Sequence, residues 1–159
     1  MPSAISGDII GLMGNRVRQL RQKAGLSQSE LAARSGVAQP NIAAYESGKR
    51  RPSSEMIRRL ELATRPFPSQ ALVAHRRELE ALAQRFGLSD VRVFGSTVRG
   101  TDGPGSDVDL LVTRRSGVGL LTMAAFAEAA SRLLGVEVDV VSDGGLREGH
   151  EILETAVPV

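Results

Sequence analysis

Apolar residues recur at intervals of three and four through the first third of the chain, which is the period of an amphipathic helix. They predict a first helix from near Asp8 to Ala24. A capping box at Ser27 and Glu30 starts a second helix that ends at Gly36, and a third short helix is predicted from Ala38 to Glu46. The stretch SGKRRPSSEMIRRLELA then supplies a helix that packs behind this pair. The chain is therefore predicted to begin with an all-α bundle.

The segment TRPFPS, residues 64–69, interrupts this pattern. Its two prolines stiffen the backbone and prevent the preceding helix from continuing. We therefore place a domain boundary here, which divides the chain into residues 1–65 and residues 66–159. Beyond the boundary a long helix is predicted from Ser69 to Phe86, because leucines and a phenylalanine stripe one face of that stretch.

Alternation of apolar and polar residues appears beyond this helix and predicts β-strands. The predicted strands are Val91–Phe94, Asp107–Val112 and the stretch VEVDVV at residues 136–141. The predicted helices are Thr122–Leu134 and about Leu146–Glu154. Their order predicts a small mixed sheet backed by helices. The fold class of the whole chain is accordingly predicted to be α+β, an all-α bundle followed by a mixed-sheet α/β domain.

The stretch FGSTVRGTDGPGSDVDLLV, residues 94–112, carries the clearest chemical signal. Asp107 and Asp109 lie two positions apart in a predicted strand, so both carboxylates project from one face. At about 4 Å and an effective dielectric constant of about 20, two like charges repel by roughly 4 kcal/mol. A divalent cation would remove that repulsion, since Mg²⁺ in nucleotide enzymes is typically held by one or two carboxylates and substrate phosphates. The glycine-rich loop before the acids allows backbone N–H groups to approach an anion.

A third acid, Asp139, lies in the later strand VEVDVV. Alternation places its carboxylate on the face opposite the first valines of that strand. If the two strands are neighbours, Asp139 therefore reaches the same surface as Asp107 and Asp109. Three acids on one surface, next to a loop of backbone donors, predict a site for a metal ion and a nucleotide.

This stretch resembles the signature of the nucleotidyltransferase superfamily related to DNA polymerase beta, G-S-x(7–13)-D-x-D. Its ending, S-D-x-D-L-L-V, is most similar to the minimal nucleotidyltransferase (MNT) branch. The resemblance implies that Gly95 and Ser96 hold the triphosphate of ATP, with Arg99 near the phosphates. It also implies that three acids bind Mg²⁺ and catalyse the transfer, namely Asp107, Asp109 and Asp139. The family often has an arginine directly after the Gly-Ser pair, where this chain has Thr97.

An alternative for the same residues is a surface hairpin in the glycine-rich loop, with Asp107 and Asp109 on a solvated strand edge. Each feature alone favours that alternative. The joint order of strand, glycine loop, paired acids and later acid favours the nucleotidyltransferase.

Residues 16–63 resemble the repressor-type helix-turn-helix family of phage repressors and xenobiotic-response regulators. The matching motifs are R-x-L-R at residues 18–21, L-S-Q-x-E-L-A at residues 26–32 and E-S-G-K-R at residues 46–50. Amides near the start of a recognition helix suit base contacts because they can pair bidentately with adenine, whereas basic side chains contact phosphates. The residues implied to face double-stranded operator DNA are Gln28, Gln39, Asn41, Ala44, Lys49, Arg50 and Arg51. One such unit buries a small interface, so two half-sites and a dimer are expected.

Composition and charge exclude several classes of protein. The 159 residues include no cysteine, which rules out disulfides and thiolate zinc sites and favours a cytoplasmic setting. No apolar run approaches the length of a membrane span, so no membrane association is expected. The net charge is only +2, but residues 1–75 carry 11 Lys and Arg against 5 acids, while residues 76–159 carry 9 against 13. The first part of the chain is the one expected to seek phosphates.

Together the two resemblances indicate a DNA-binding regulator fused to a minimal nucleotidyltransferase, which is similar to the antitoxin half of HEPN/MNT toxin–antitoxin pairs and so implies an antitoxin and transcriptional autoregulator. The resemblance implies a HEPN-domain ribonuclease as partner, transfer of AMP from ATP to a toxin tyrosine, repression of the operon, and a homodimer or a hetero-oligomer with the toxin. Two alternatives stay open. The MNT fold could mask a toxin without catalysis, or it could modify a small molecule under the control of the DNA-binding domain.

Overall fold

The computed structural model describes residues 15–159, and the chain divides into two units, Met1–Arg65 and Pro66–Val159. We call these the N-terminal unit and the C-terminal unit. The beginning of the predicted first helix, from Asp8 onwards, lies outside the described residues.

The N-terminal unit is helical, as the apolar pattern predicts. Its helices are α1, described over residues 15–23, α2 (Gln28–Ser35), α3 (Gln39–Glu46) and α4 (Ser54–Ala63). Their buried faces form one apolar core from Val17, Leu26, Leu31, Val37, Ile42, Tyr45, Ile57, Leu60 and Ala63.

Local capping chemistry sets the ends of α2. The Glu30 backbone N–H donates to Ser27 Oγ at 3.1 Å, and the Ser27 backbone N–H donates to Glu30 Oε2 at 2.7 Å, which completes the predicted capping box. Gly36 ends the helix with a φ of 65°, a left-handed conformation that glycine adopts without strain. Pro40 lies in the first turn of α3, where a missing N–H costs no helical hydrogen bond.

The C-terminal unit alternates helices with short strands. Its elements are α5 (Pro68–Arg85), β1 (Leu88–Phe94), α6 (Ser96–Arg99), β2 (Val108–Arg114), α7 (Leu120–Leu134), β3 (Val138–Ser142), a 3-10 turn (Asp143–Gly145), α8 (Glu151–Thr155) and β4 (Val157–Pro158). The strands form one sheet in the order β3-β2-β1-β4. β2 pairs with β3 in parallel, while β1 pairs antiparallel with both β2 and β4. The sheet is therefore mixed, as predicted.

One face of this sheet packs on α5 and α7. Leu79 from α5, Phe126 from α7 and the β2 residues Val108 and Leu110 are all fully buried in the same core. Leu111, the next residue of β2, points to the opposite face and is also fully buried. β2 therefore carries fully buried side chains on both of its faces.

Besides shifts of one or two residues at the ends of elements such as β2, α7 and β3, the structure differs from the sequence-based prediction at four places. β1 begins at Leu88, three residues earlier than predicted, with a bulge between Ser89 and Arg92. The first turn after Gly95 is helical rather than part of a loop. The last predicted helix is shortened to Glu151–Thr155, and the chain then adds β4 to the edge of the sheet.

The fourth difference is a kink in α5 at His75, which has φ −117° and ψ 20°. His75 is 42% exposed and lies 4.0 Å from Glu78, so it is part of the helix surface. His150 is exposed and caps α8, where Nδ1 accepts a hydrogen bond from the Ile152 backbone N–H at 3.2 Å. None of the helices within residues 15–159 combines the length and the apolar character needed to cross a bilayer.

Glu46 is a buried carboxylate at the end of α3, only 7% exposed. Arg21 donates to its two oxygens at 2.7 and 3.0 Å, and Gln28 donates at 3.0 Å. Burial acts to raise the pKa of Glu46, but these hydrogen bonds and the charges of Arg21 and Arg18 outweigh it, so the pKa lies below its ordinary value. The paired carboxylate ties α1, α2 and α3 together.

We expect Glu46→Gln to lower the free energy of unfolding at pH 7 by about 1–3 kcal/mol, because it removes charge-assisted hydrogen bonds from a buried site. A carboxylate whose pKa is lowered by folding stabilises the protein above its unfolded pKa of about 4.3, and this stability is lost as the pH falls through the folded value. The deficit in melting temperature should therefore shrink below about pH 4. Glu55→Gln, on the exposed face of α4, is the control. A deficit that stays constant with pH would contradict this assignment.

Candidate functional site

Asp109 lies on β2, which pairs with β1 on one side and with β3 on the other. Its antiparallel partner on β1 is Phe94, and its parallel partner on β3 is Asp139. Directly paired residues on adjacent strands project from the same face, so Asp139 lies beside Asp109. Asp107 comes one residue before β2, and alternation places it on that face as well. The strand register thus brings the three acids named from the sequence to one face of the sheet, at the starts of β2 and β3.

The charges of these acids act on one another. Asp109 is half-buried, whereas Asp107 and Asp139 are exposed. Burial raises the pKa of Asp109, and the negative charges of Asp139 and Asp107 raise it further, while Arg99 acts in the opposite direction. Among the residues that the structure describes, no basic side chain forms a salt bridge with Asp109 as Arg21 does with Glu46. The site therefore holds uncompensated negative charge.

Gly95, between β1 and α6, is pressed against this carboxylate. Its φ of 74° and ψ of −143° lie in a region that favours glycine. A Cβ at this position would overlap Oδ2 of Asp109 and stand 3.2 Å from its Cγ. Glycine is thus required both by the backbone conformation and by the approach of Asp109.

The short helix α6 carries the other residues named for phosphate binding. Ser96 is its first residue and is half-buried, and Arg99 is its last and is exposed. The Thr101 backbone N–H donates to the Ser96 carbonyl at 3.0 Å and closes the turn. Arg99 lies within electrostatic reach of Asp109, since its charge acts on the pKa of that carboxyl. The structure therefore gathers Gly95, Ser96 and Arg99 beside the acids.

A second group of polar residues lies on α2 and α3 of the N-terminal unit. Gln39 Nε2 donates to Gln28 Oε1 at 3.0 Å, and Gln28 in turn donates to the buried Glu46. This chain of hydrogen bonds orients the exposed Gln39 amide. The carbonyl oxygen of Gln39 and its second N–H carry no bond to any described residue, so both can meet an external partner.

The remaining residues named for DNA contact surround this amide pair. Arg50 Nη1 donates to Asn41 Oδ1 at 3.1 Å, and its guanidinium lies 6.0 Å from the centre of the Tyr45 ring. A bidentate contact of Asn41 with adenine would require that bond to open. Two exposed basic residues, Lys49 and Arg51, and the half-buried Ala44 complete the set.

Two family models match this chain. Residues 75–156, slightly more than half of the chain, match the nucleotidyltransferase domain family. The chain belongs to the nucleotidyltransferase family. Residues 17–65 match the helix-turn-helix family, so a helix-turn-helix domain precedes the nucleotidyltransferase domain.

Individual relatives agree with this assignment. Protein adenylyltransferase MntA of Thermococcus cleftensis is 41% identical over 78 residues, which make up 49% of this chain and 76% of that protein. A solved structure provisionally described as a minimal nucleotidyltransferase aligns with a TM-score of 0.52 and 41% sequence identity, over 57% of this chain and 95% of the other. The predicted resemblance to a helix-turn-helix domain fused to a minimal nucleotidyltransferase is confirmed, and so is the α+β fold class.

The acids of the nucleotidyltransferase domain fit a divalent cation. Hard carboxylate oxygens are the ligands that Mg²⁺ prefers, and the raised pKa of Asp109 marks a charge that a cation would relieve. Within residues 15–159, no group of three acid or histidine side chains is placed so that it could hold a metal ion by itself. Mg²⁺ commonly takes one or two carboxylates plus substrate phosphates rather than an all-protein cage. The site therefore fits a cation that arrives with a nucleotide.

Sequence reasoning missed the second role of Gly95. The Gly-Ser motif suggested phosphate binding, but the contact with Asp109 arises from the register between β1 and β2. No local sequence pattern specifies that register. The bond between Asn41 and Arg50 was missed for the same reason, because the two residues meet through the fold.

We expect Asp109→Asn to raise the melting temperature of the metal-free chain at pH 7. A carboxyl whose pKa is raised by folding contributes stability below its unfolded pKa of about 3.9, and loses it as the pH rises through the folded value. At pH 7 the ionised group therefore opposes folding, and the amide removes this penalty. The gain should vanish below about pH 3.9, where the carboxyl is protonated in both states. Thermal melting in the presence of a chelator measures this gain in stability, and the exposed Glu148→Gln variant is the control. An Asp109→Asn variant that is no more stable than the wild type would contradict the prediction.

Proposed function

We propose that this chain is an antitoxin and transcriptional autoregulator. In this proposal its nucleotidyltransferase domain transfers AMP from ATP to a hydroxyl group of a partner protein. The observation that carries the proposal is the register of Asp109 with Asp139, next to Asp107 and beneath the Gly95 turn. A structural role alone would not explain uncompensated acids on adjacent strands, since like charges there destabilise the sheet.

The proposed reaction is a displacement at phosphorus. The acceptor oxygen attacks the α-phosphorus of ATP and forms a new P–O bond, while the bond from that phosphorus to the bridging oxygen of the β-phosphate breaks and pyrophosphate leaves. Asp139 is the proposed base that takes the hydroxyl proton, or a second metal anchor. Mg²⁺ would be held by Asp107 and Asp109, and by Asp139 where that residue is a metal anchor rather than the base, and it would neutralise charge on the phosphate oxygens.

The nucleotide itself would be held by the turn between β1 and α6. Gly95 allows the backbone to approach the triphosphate, and Ser96 offers a hydroxyl and a backbone N–H. Arg99 adds a positive charge that a phosphate can share with the acids. These residues would bind and orient the α-phosphate against the attacking oxygen, which is the larger part of catalysis in phosphoryl transfer.

The acceptor in this proposal is a tyrosine of a HEPN-type toxin. The relative from Thermococcus cleftensis is named a protein adenylyltransferase, which favours a protein acceptor. Self-modification is disfavoured, because the single tyrosine of this chain, Tyr45, is 4% exposed and lies in the core of the helix-turn-helix domain. The modified group would therefore come from another protein.

The helix-turn-helix domain would bind double-stranded operator DNA and repress its own operon. Gln39, oriented by Gln28, would contact a base, and the exposed Lys49 and Arg51 would contact phosphates. A single domain of this kind buries little surface, so we propose a homodimer, or a hetero-oligomer with the toxin, on two half-sites. The cytoplasm, where ATP and operator DNA are found, is the proposed location.

Transfer can be tested with labelled ATP, Mg²⁺ and the protein encoded next to this chain. We expect label to appear on a partner tyrosine, and Asp107→Asn to lower the rate at least about 10²-fold, because it removes a proposed ligand of the metal. Glu128→Gln, an exposed acid on α7, is the control and should retain full activity. Neutralisation of the partner that survives Asp107→Asn, without any label, would instead support a domain that only masks its target.

DNA binding can be tested separately on operator variants. We expect Gln39→Ala to cost about 1–3 kcal/mol at one base position and to relax sequence preference there. Lys49→Ala should weaken binding to all sequences alike and lower the salt slope by about 1. Equal losses across all operator variants for Gln39→Ala would contradict its assignment to a base contact.

A further inference from the structure

Asp102 lies in the loop between α6 and β2, the segment that joins the residues proposed for phosphate binding to the acids. One of its oxygens, Oδ2, accepts a hydrogen bond from the backbone N–H of Ser69 at 2.9 Å. Ser69 belongs to the first turn of α5, 33 residues earlier in the chain. No role in the chemistry above involves Asp102, yet its carboxylate connects the active-site loop to the body of the domain.

The first turn of α5 needs such a partner. Its own N-cap residue is Phe67, whose side chain makes no capping hydrogen bond, and Pro68 follows it. The exposed N–H groups of a helix start favour a negatively charged acceptor, and the helix dipole strengthens the interaction. Asp102 therefore caps α5 from a distant part of the sequence.

The other hydrogen bonds of the loop are local. Thr101 donates back to Ser96, and the Gly103 N–H donates to Ser106 Oγ at 3.0 Å while the Ser106 N–H donates to the Gly103 carbonyl at 2.9 Å. These bonds shape two tight turns but do not fix where the turns lie on the domain. Asp102 lies between them, so its bond to α5 fixes the position of both.

We infer that Asp102 is a positioning residue for nucleotidyl transfer. It holds the loop against α5, so that the backbone between Ser96 and Asp107 keeps one position beside the acids, while the β1–β2 register sets its two ends. The inference rests on the proposed function, because it takes these two residues as parts of one site. A displacement of about 1 Å in such a site can cost roughly 10²-fold in rate.

Two substitutions of Asp102 separate a positioning role from a catalytic one. Asp102→Asn keeps a hydrogen-bond acceptor of nearly the same shape, and Asn is a good helix cap. Asp102→Ala removes the acceptor. We expect the alanine variant of the full chain to lower kcat/KM for ATP about tenfold or more, and the asparagine variant to stay within about threefold of the wild type. Equal losses in both variants would overturn the inference, because they would show that the charge acts directly.

Hydrogen exchange gives a readout that does not depend on transfer. In the alanine variant we expect faster amide exchange at Ser69, Gly103 and Ser106, with unchanged protection in β2 and β3. Glu128→Gln, which removes an exposed acid from α7, is the matched control and should change neither measurement. Unaltered exchange in the loop of the alanine variant would overturn the inference. Should the wild type transfer no label at all, the proposed function fails while exchange still tests the anchor.

Discussion

Three carboxylates that lie side by side repel one another, and the packing of β2 is what keeps them together. Moving Asp109 away from Asp139 would require β2 to slip by one residue, which would turn Val108, Leu110 and Val112 out of the core. All three are fully buried, and burial of such a side chain contributes about 1.5–3 kcal/mol. Their sum exceeds the roughly 4 kcal/mol of repulsion between two close charges in a partly screened site. Burial of the apolar face of β2 therefore fixes the position of the acids on the other face.

Glu46 and Asp109 show two different outcomes for a carboxylate removed from water. Glu46 is met by Arg21 and Gln28, so its pKa is lowered and its charge stabilises the fold. Burial raises the pKa of Asp109, the charges of Asp139 and Asp107 raise it further, and the ionised group therefore opposes the fold. A compensated buried acid is explained by structure alone. An uncompensated acid needs an external cation or a proton. This contrast distinguishes Glu46, which stabilises the fold, from Asp109, which belongs to the candidate site.

Features set by local chemistry could be predicted from the sequence, whereas features set by distant contacts could not. The ends of α2 follow from Ser27, Glu30 and Gly36, which act within a few residues of one another. β4 could not be predicted, because a two-residue strand is defined by its pairing with Arg92 and Val93 of β1. The kink at His75 lies inside a continuous helical pattern and has no sequence signal that we recognise.

The candidate site falls between these two cases. The G-S and D-x-D residues could be named from their spacing, since one loop and one strand carry them. Asp139 could be named only on the condition that its strand neighbours β2. The parallel pairing of β2 with β3 meets that condition, and it aligns Asp109 with Asp139 residue for residue. Alternation correctly predicted the face of the sheet on which Asp139 lies. Only the order of the strands could show that Asp139 lies next to Asp109.

The two parts of the chain carry opposite net charges, and each charge favours a different proposed ligand. Residues 1–75 carry an excess of basic side chains, and residues 76–159 an excess of acids. DNA is a polyanion whose binding is dominated by basic contacts to phosphate, so it favours the first part and is repelled by the second. ATP is also an anion, but it reaches an acidic site as a complex with Mg²⁺, which reverses the local sign of the interaction. The same uncompensated acids would favour a metal–nucleotide complex and would disfavour nucleic acid without bound metal at the proposed transfer site.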